Sequence, residues 1–253
     1  KILYKIQNYF IKKIINHASM ISAANEYEKN IFLNMNKKSQ IKIIRNGVNL
    51  KNLVSKQNFK IKYKINSKFI LFVGRFSKSK GIETLIDAFN IINNNKISDI
   101  HLVIMGVDFG FEKIMEELII KFNLSKKILV IKNPPREDVI SAYGESEFLI
   151  LPSQWELSPL VPLESFAFKK PVISTKSHGI PFTVQDDKNG ILVEPEKPDQ
   201  LAKAITKLLL DDDLRIRLGL SGYNFVHDEC NCISMAKNSL ELYEQILKNN
   251  DNK

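Results

Sequence analysis

Residues Phe69–Asn95 read FILFVGRFSKSKGIETLIDAFNIINNN, and the change of pattern inside this stretch decides the fold. FILFV is apolar at every position, so neither of its faces can look onto water; such a short run, closed by Gly74, is a strand buried on both sides. From Ile82 the spacing switches. Ile82, Leu85, Ile86, Phe89 and Ile92 fall at helical intervals, as on an amphipathic helix that covers a neighbour with one face. The link between them, GRFSKSKG (Gly74–Gly81), carries Arg75, Lys78 and Lys80 to the point where strand gives way to helix.

The same alternation recurs downstream. HLVIMG (101–106), ILVIK (128–132), FLILP (148–152), PVIST (171–175) and GILVEP (190–195) read as strands. EKIMEELIIKFNL (112–124), REDVISAYGES (136–146) and the segment after Trp155 read as the helices between them. Strands apolar on both faces, alternating with helices, form a parallel sheet covered on both sides. With right-handed crossovers this is an α/β, doubly wound, Rossmann-like domain that binds ligands at the carboxyl ends of its strands. From Pro198 the pattern is helical to the end, giving a C-terminal helical segment, and the last of these helices (233–248) is expected to cross back towards the N-terminal part. Residues 1–50 differ: a basic helix with Ile2, Ile6, Phe10 and Ile14 on one face, the apolar SMISAA, a helix NEYEKNIFL, and IKIIRNGVNL. The Lys- and Asn-rich stretch Val54–Lys68 reads as a linker.

Composition sets the outer bounds. The 253 residues are 44% hydrophobic and 26% charged, ordinary for a globular chain, with no apolar run of membrane-span length and no signal-peptide pattern. Two cysteines suit a reducing compartment, and a cytoplasmic location is expected. The net charge of +9 raises nucleic acid as a partner. The lysines are scattered, however, and aromatics do not interleave with them, so no nucleic-acid partner is expected. A basic surface still favours phosphorylated ligands or an anionic membrane, and the first helix, with Lys12 and Lys13 beside its apolar face, allows peripheral membrane contact. Packing of that face against a neighbouring domain explains the pattern more simply. The chain opens on Lys1 within a helical pattern and is read as part of a longer protein.

Two sites could carry chemistry. The basic loop matches neither G-x-G-x-x-G nor a P-loop, but cations at a helix start can cradle an anion. WELSPLVPLESFAF (155–168) holds two acids in an apolar run, with no basic neighbour at helical spacing before Lys169. With Ser158 as N-cap and Pro159 first in the helix, Glu156 sits in the strand-end loop and Glu164 in the second turn, about 5 Å further on. Both then face either one extended ligand or, more simply, a salt-bridge partner for Glu164 and water for Glu156. His178 is a wall residue or an acid–base group. The string His227–Cys232 lacks zinc spacing and reads as packing.

Residues 43–212 resemble the donor-binding half of the GT-B glycosyltransferases, specifically retaining family 4. The resemblance rests on IIRNGVNL (43–50), FVGRFSKSKGIETLIDAF, LVIMG, the E-x7-E segment WELSPLVPLESFAFKKPVIST and HGIPFTVQDDKNGILVEP, in that order. It implies a truncated N-terminal acceptor domain and inter-domain segment in residues 1–50 and a donor domain with a crossing helix in 51–253. It implies transfer of a sugar, with retention, from a nucleotide diphosphate sugar to the hydroxyl of a carbohydrate, lipid-linked or small-molecule acceptor, with no metal and no cofactor. Arg75 and Lys80 would hold the diphosphate and Glu156 the transferred sugar, these three being catalytic. Glu164 would accept the ribose hydroxyls. Gly74, Gly106, Pro135, Leu157, Ser158, Leu160, His178 and Gly179 would complete the donor site, with residues 132–136 beside the base. The chain departs from the family pattern at Pro159, which has no N–H to donate, at His178 where glycine is common, and at Phe182 where an acid is frequent. These departures bear on donor identity. Two other classes remain open: a GT-B-like sugar-nucleotide epimerase and a non-catalytic nucleotide-binding module.

Overall fold

The computed structural model describes residues 2–55, 58–95 and 99–251, with side chains over 8–55, 58–95 and 99–248. Its centre is a six-stranded sheet of β3 (Lys68–Val73), β4 (Ile100–Gly106), β5 (Ile128–Lys132), β6 (Leu149–Leu151), β7 (Val172–Thr175) and β8 (Gly190–Val193). The strand order is β5-β4-β3-β6-β7-β8, every neighbouring pair parallel. The connecting helices are α4 (Ile82–Asn94), α5 (Glu112–Lys121), α6 (Arg136–Glu145) and α7 (Leu160–Ala167). Helices α8 (Pro198–Leu210), α9 (Asp212–Asp228) and α10 (Cys232–Asp251) follow the last strand.

The expected doubly wound sheet is therefore present, and its cause is visible in the FILFV run. Ile70 and Phe72 point into one core layer with Ile82, Leu85 and Phe89 of α4. Phe69 and Leu71 point into the other, with Tyr143 of α6 and Phe166 of α7. All four strand side chains are fully buried, each contributing about 1.5–3 kcal/mol of transfer free energy. A polar residue at any of them would face a helix rather than water.

The sheet order places the functional region. The chain winds outward from β3 through β4 to β5, then returns to the other side of β3 with β6. The β3–β6 boundary is the point where winding direction reverses, and a crevice opens there at the carboxyl ends. The two loops flanking it are Gly74–Gly81 and Pro152–Pro159.

The N-terminal part comprises α1 (Ile2–His17), β1 (Ile21–Ala23), α2 (Glu26–Met35) and β2 (Ile41–Ile43); β1 and β2 pair in parallel as a separate small sheet. The apolar SMISAA thus supplies a strand. Phe10 and Ile14 of α1 are exposed in this chain, and among the described side chains of α1 the buried one is Ile15. The side chains of Ile2 and Ile6 lie outside the described residues. Helix α10 runs beside the N-terminal part, where its Glu241 pairs with Lys42 of β2 at 3.1 Å, and Asn231 just before it bridges to Val48.

The stretch Val54–Lys68, read as a linker, is not one throughout. It folds a short helix, α3 (Phe59–Tyr63), capped by the Asn58 side chain. Phe59 is buried against Tyr63 and Phe69. Lys62 and the Tyr63 hydroxyl reach Asp138 of α6 at 2.6 Å each. High lysine content hid a single aromatic anchor.

Candidate functional site

The β3–α4 loop is built to be rigid. Phe76 is fully buried and exchanges backbone bonds with Val107 and Phe109 in the loop after β4. This strap leaves Arg75 pointing outward, its guanidinium over the Phe109 ring at 5.0 Å. Among the described residues Arg75 makes no ion pair. Gly74 donates its N–H to Met105, and the Gly106 carbonyl accepts from Asn133, so both glycines sit in the backbone floor of the crevice.

Ser77–Gly81 forms a 3-10 turn that delivers Lys80 to the start of α4. Gly81 closes the turn at φ +69°, and a Cβ there would lie 2.0 Å from the Pro152 carbonyl oxygen. The two loops therefore meet backbone to backbone, and Gln154 donates its N–H to Ser79 across the same seam. That contact sets Lys80 against Glu156, which was expected to face water or a ligand. Instead the Lys80 ammonium and the Glu156 carboxylate form an ion pair with both side chains largely sheltered, 12% and 15% exposed. Ser153 Oγ also reaches Glu156 Oε1 at 3.3 Å. Among the described residues Oε2 of Glu156 accepts nothing, and Lys80, with three donors, spends one on the carboxylate. The pair is pre-set yet unsaturated on both sides.

Glu164 also has partners, and again none was visible at helical spacing. Arg136 Nη2 and Nη1, on the first turn of α6, donate to its Oε1 and Oε2 at 2.5 and 3.1 Å. The Tyr143 hydroxyl donates to Oε2 at 2.9 Å. Tyr143 is fully buried, and burial, then the neighbouring Glu164 charge, hold its hydroxyl well above the usual tyrosine range, so it stays a donor. The acid in the apolar helix is therefore a salt-bridged helix acid. The salt-bridge reading of Glu164 is thus met, while Glu156, expected to face water or a ligand, also has a protein partner; both partners come from other elements rather than from the acids' own helix.

The start of α7 also differs from expectation. The helix spans Leu160–Ala167, Pro159 takes the cap position, and no side chain caps it. Ser158 is instead held through its carbonyl, which accepts from Asn46 at 3.0 Å. Leu157 accepts from the Asn25 amide at 2.6 Å, while Asn25 caps α2 through Glu28 N–H. Leu160 lies at the surface. Arg45 donates to the Phe182 carbonyl at 3.0 Å. Three side chains of the N-terminal part thus hold the loops after β6 and β7, and a cavity of about 360 Å³ opens there among Ser22, Glu28, Asn46, Leu157 and Ser158. Sequence reasoning gave no role to Asn25, Asn46 or Tyr143, and set Arg136 beside the base without its bond to Glu164. The Arg136–Tyr143 spacing, two turns apart on one helix face, was the only signal available for the last two.

His178 stands at φ +51°, exposed, its ring edge-on to Tyr27 and Trp155 at centroid distances of 5.4 and 5.9 Å, with Nδ1 bonded to Ser177 Oγ at 2.6 Å. It is a wall of the crevice. Gly179 donates its N–H to the Glu156 carbonyl, and a Cβ there would fall 1.6 Å from the Leu157 carbonyl oxygen. Pro135 leads into α6 in extended conformation, beside Asn133 at φ +49°. Among the described residues no cluster of three or more His, Cys, Asp or Glu side chains could hold a metal ion. Cys230 is buried, and burial pushes its thiol up to about 12, as suits packing. No helix among the described residues is long and apolar enough to cross a membrane.

The loops at the sheet's switch point thus carry an outward Arg75 and the sheltered Lys80–Glu156 pair, and α7 beside them carries Glu164 held by Arg136 and Tyr143. Known proteins resemble this chain in sequence and fold. An uncharacterized glycosyltransferase of Methanocaldococcus jannaschii is 33% identical over 217 residues, 86% of this chain and 57% of the relative. Sucrose-phosphate synthase from Thermosynechococcus elongatus superposes with a TM-score of 0.85 at 26% identity, covering 96% of this chain and 62% of that one. Anabaena HepE, solved in complex with UDP-glucose, shares the fold with a TM-score of 0.80 at 19% identity, over 91% of this chain and 65% of its own. This chain therefore spans about three fifths of the length of such relatives. The model of the family described as Glycosyl transferases group 1 matches residues 55–225, and the chain belongs to that family.

Proposed function

We propose that residues 51–253 form the donor-binding half of a retaining, family 4 type hexosyltransferase, with residues 1–50 as the end of its acceptor-binding half. The reaction moves a sugar from a nucleoside diphosphate sugar to an acceptor hydroxyl on a carbohydrate or lipid-linked molecule, without metal or cofactor. The observation that carries this reading is the sheltered Lys80–Glu156 pair across the switch point. Among the described residues it puts a cation with unused donors beside a carboxylate with an unused oxygen. A sugar nucleotide needs that order: cations at the diphosphate, hydroxyl acceptors on either side.

In this reading Lys80 and Arg75 bind the diphosphate and stabilise the charge that collects on it as the glycosidic bond breaks; Arg75, which among the described residues meets no acid and rests on the Phe109 ring, turns inward to do so. Glu156 Oε2 accepts hydroxyls of the transferred sugar and fixes its reacting carbon. Glu164 receives the ribose hydroxyls, and residues 132–136 flank the base. The amides of 157–160 supply further donors, less the one Pro159 lacks. Anabaena HepE was solved with UDP-glucose, which makes uridine nucleotides the first donors to test.

The test is product analysis with UDP- and GDP-sugars. Retention appears in NMR of the product as an unchanged anomeric configuration. An epimer formed without acceptor would mark an epimerase, and nucleotide binding without turnover or product in the presence of the complete acceptor half would mark a binding module.

A further inference from the structure

This inference rests on Glu164 as the acceptor of the ribose hydroxyls. The carboxylate offers about four lone-pair positions. Arg136 fills one on each oxygen, and Tyr143 fills the second on Oε2. A vicinal diol donating to both oxygens needs one free position on each, and Oε2 has none left. One of the present donors has to leave.

The two donors are not equal. Tyr143 has no exposed surface and is packed between the sheet and α7, beside Phe168. Arg136 sits on the first turn of α6 with its side chain 55% exposed, and Glu164 is its only ion-pair partner among the described residues. An ion pair open to water is held weakly, because solvent competes for both members. The guanidinium also presents its two N–H groups as a fork, much as a ribose presents two adjacent hydroxyls. Arg136 also falls within residues 132–136, the segment that the proposed reading sets beside the base.

We infer that Arg136 occupies the ribose-recognising face of Glu164 in the empty site, that the donor's diol displaces its guanidinium, and that this competition sets how sharply the protein separates ribose from deoxyribose nucleotides. Tyr143 stays in place and aims the carboxylate in both states. Arg136 is thus a specificity-determining residue that acts through Glu164.

The experiment is calorimetry of UDP and 2′-deoxy-UDP with the wild type, Arg136→Ala, Arg136→Lys and Glu164→Ala. The readout is the ratio of the two dissociation constants. Loss of a cation weakens both nucleotides alike and cancels in that ratio, whereas relief of competition favours only the hydroxyl-bearing ligand. Arg136→Ala should raise the preference for UDP about three- to tenfold, and Arg136→Lys, which keeps charge without the fork, should lie between. A preference unchanged or reduced in Arg136→Ala overturns the inference. Glu164→Ala should bring the ratio close to unity. If it leaves the wild-type ratio intact, the ribose role of Glu164 fails first and the inference falls with it.

Discussion

Glu156 and Glu164 stand eight positions apart in one apolar segment, yet their partners differ in kind. Glu156 meets a lysine as sheltered as itself, delivered by a loop locked to its own through backbone contacts at Gly81 and Ser79. Glu164 meets an arginine that is mostly in water and a tyrosine that is entirely out of it. The first pair is fixed charge. Its geometry is set by protein contacts alone, as the proposed role of stabilising developing charge requires. The second is a fixed acceptor with one removable donor, suited to recognition. The pair Lys62–Asp138, whose acid shares the first turn of α6 with Arg136, has the same asymmetry, 44% and 1% exposed, but makes a structural contact between α3 and α6. Exposure of the cation alone therefore does not mark function; the partner does, Lys62 belonging to α3 and Arg136 facing Glu164 of the proposed site.

Removing Lys80 should break the comparison most severely. Lys80→Ala takes the cation from both the diphosphate and Glu156, and transfer should fall on the order of 10²–10³-fold in steady-state assays. A loss no greater than that of an exposed lysine such as Lys78 would deny the pair its role. Next in size, Glu164→Ala should weaken UDP binding about tenfold, the worth of one to two hydrogen bonds, with a smaller effect on the transfer step. Glu156→Ala should show the reverse pattern, chiefly lowering turnover. If the two patterns are exchanged, so are the two roles. Asn25→Ala removes both a helix cap and the bond to Leu157, and should lower stability by about 1 kcal/mol in urea unfolding.

The smallest effect belongs to the control pair. Burial pushes the Asp138 carboxyl up, but hydrogen bonds from Lys62 and Tyr63 outweigh it and hold it below the ordinary range. A carboxyl depressed in the folded state contributes stability above its unfolded value of about 3.9 and loses it as pH falls through the folded value. Stability of the wild type should therefore drop below about pH 4 more steeply than that of Asp138→Asn, while nucleotide binding at neutral pH stays the same in both. An altered binding constant would tie α6 packing to the site and blur the distinction between the two kinds of pair.

The sheet was legible because its signal is redundant. Each strand is apolar on both faces, each helix has one apolar stripe, and FILFV beside GIETLIDAF already contains the rule for the rest. Glu156, Glu164, Lys80 and Arg75 were legible as candidates because charge in an apolar segment or at a strand end needs a reason. Their partners were not. Lys80 lies 76 positions from Glu156 and Arg136 lies 28 from Glu164, and no local spacing encodes such pairings. The helix start at Leu160 was displaced by one residue from the Ser158–Pro159 reading, since Asn46 had taken the Ser158 carbonyl and drawn that residue into the loop. The helix α3 was missed for a related reason: its stability comes from Phe59 packing and the Asp138 contacts, not from an amphipathic run.

The central claim is that the crevice between β3 and β6 binds a nucleoside diphosphate through Arg75 and Lys80. Calorimetry with UDP, GDP and ADP on the wild type, Arg75→Ala and Lys80→Ala tests it directly. The account predicts that at least one nucleotide binds and that both substitutions weaken it. No binding by any of the three, or binding that neither substitution changes, would contradict it.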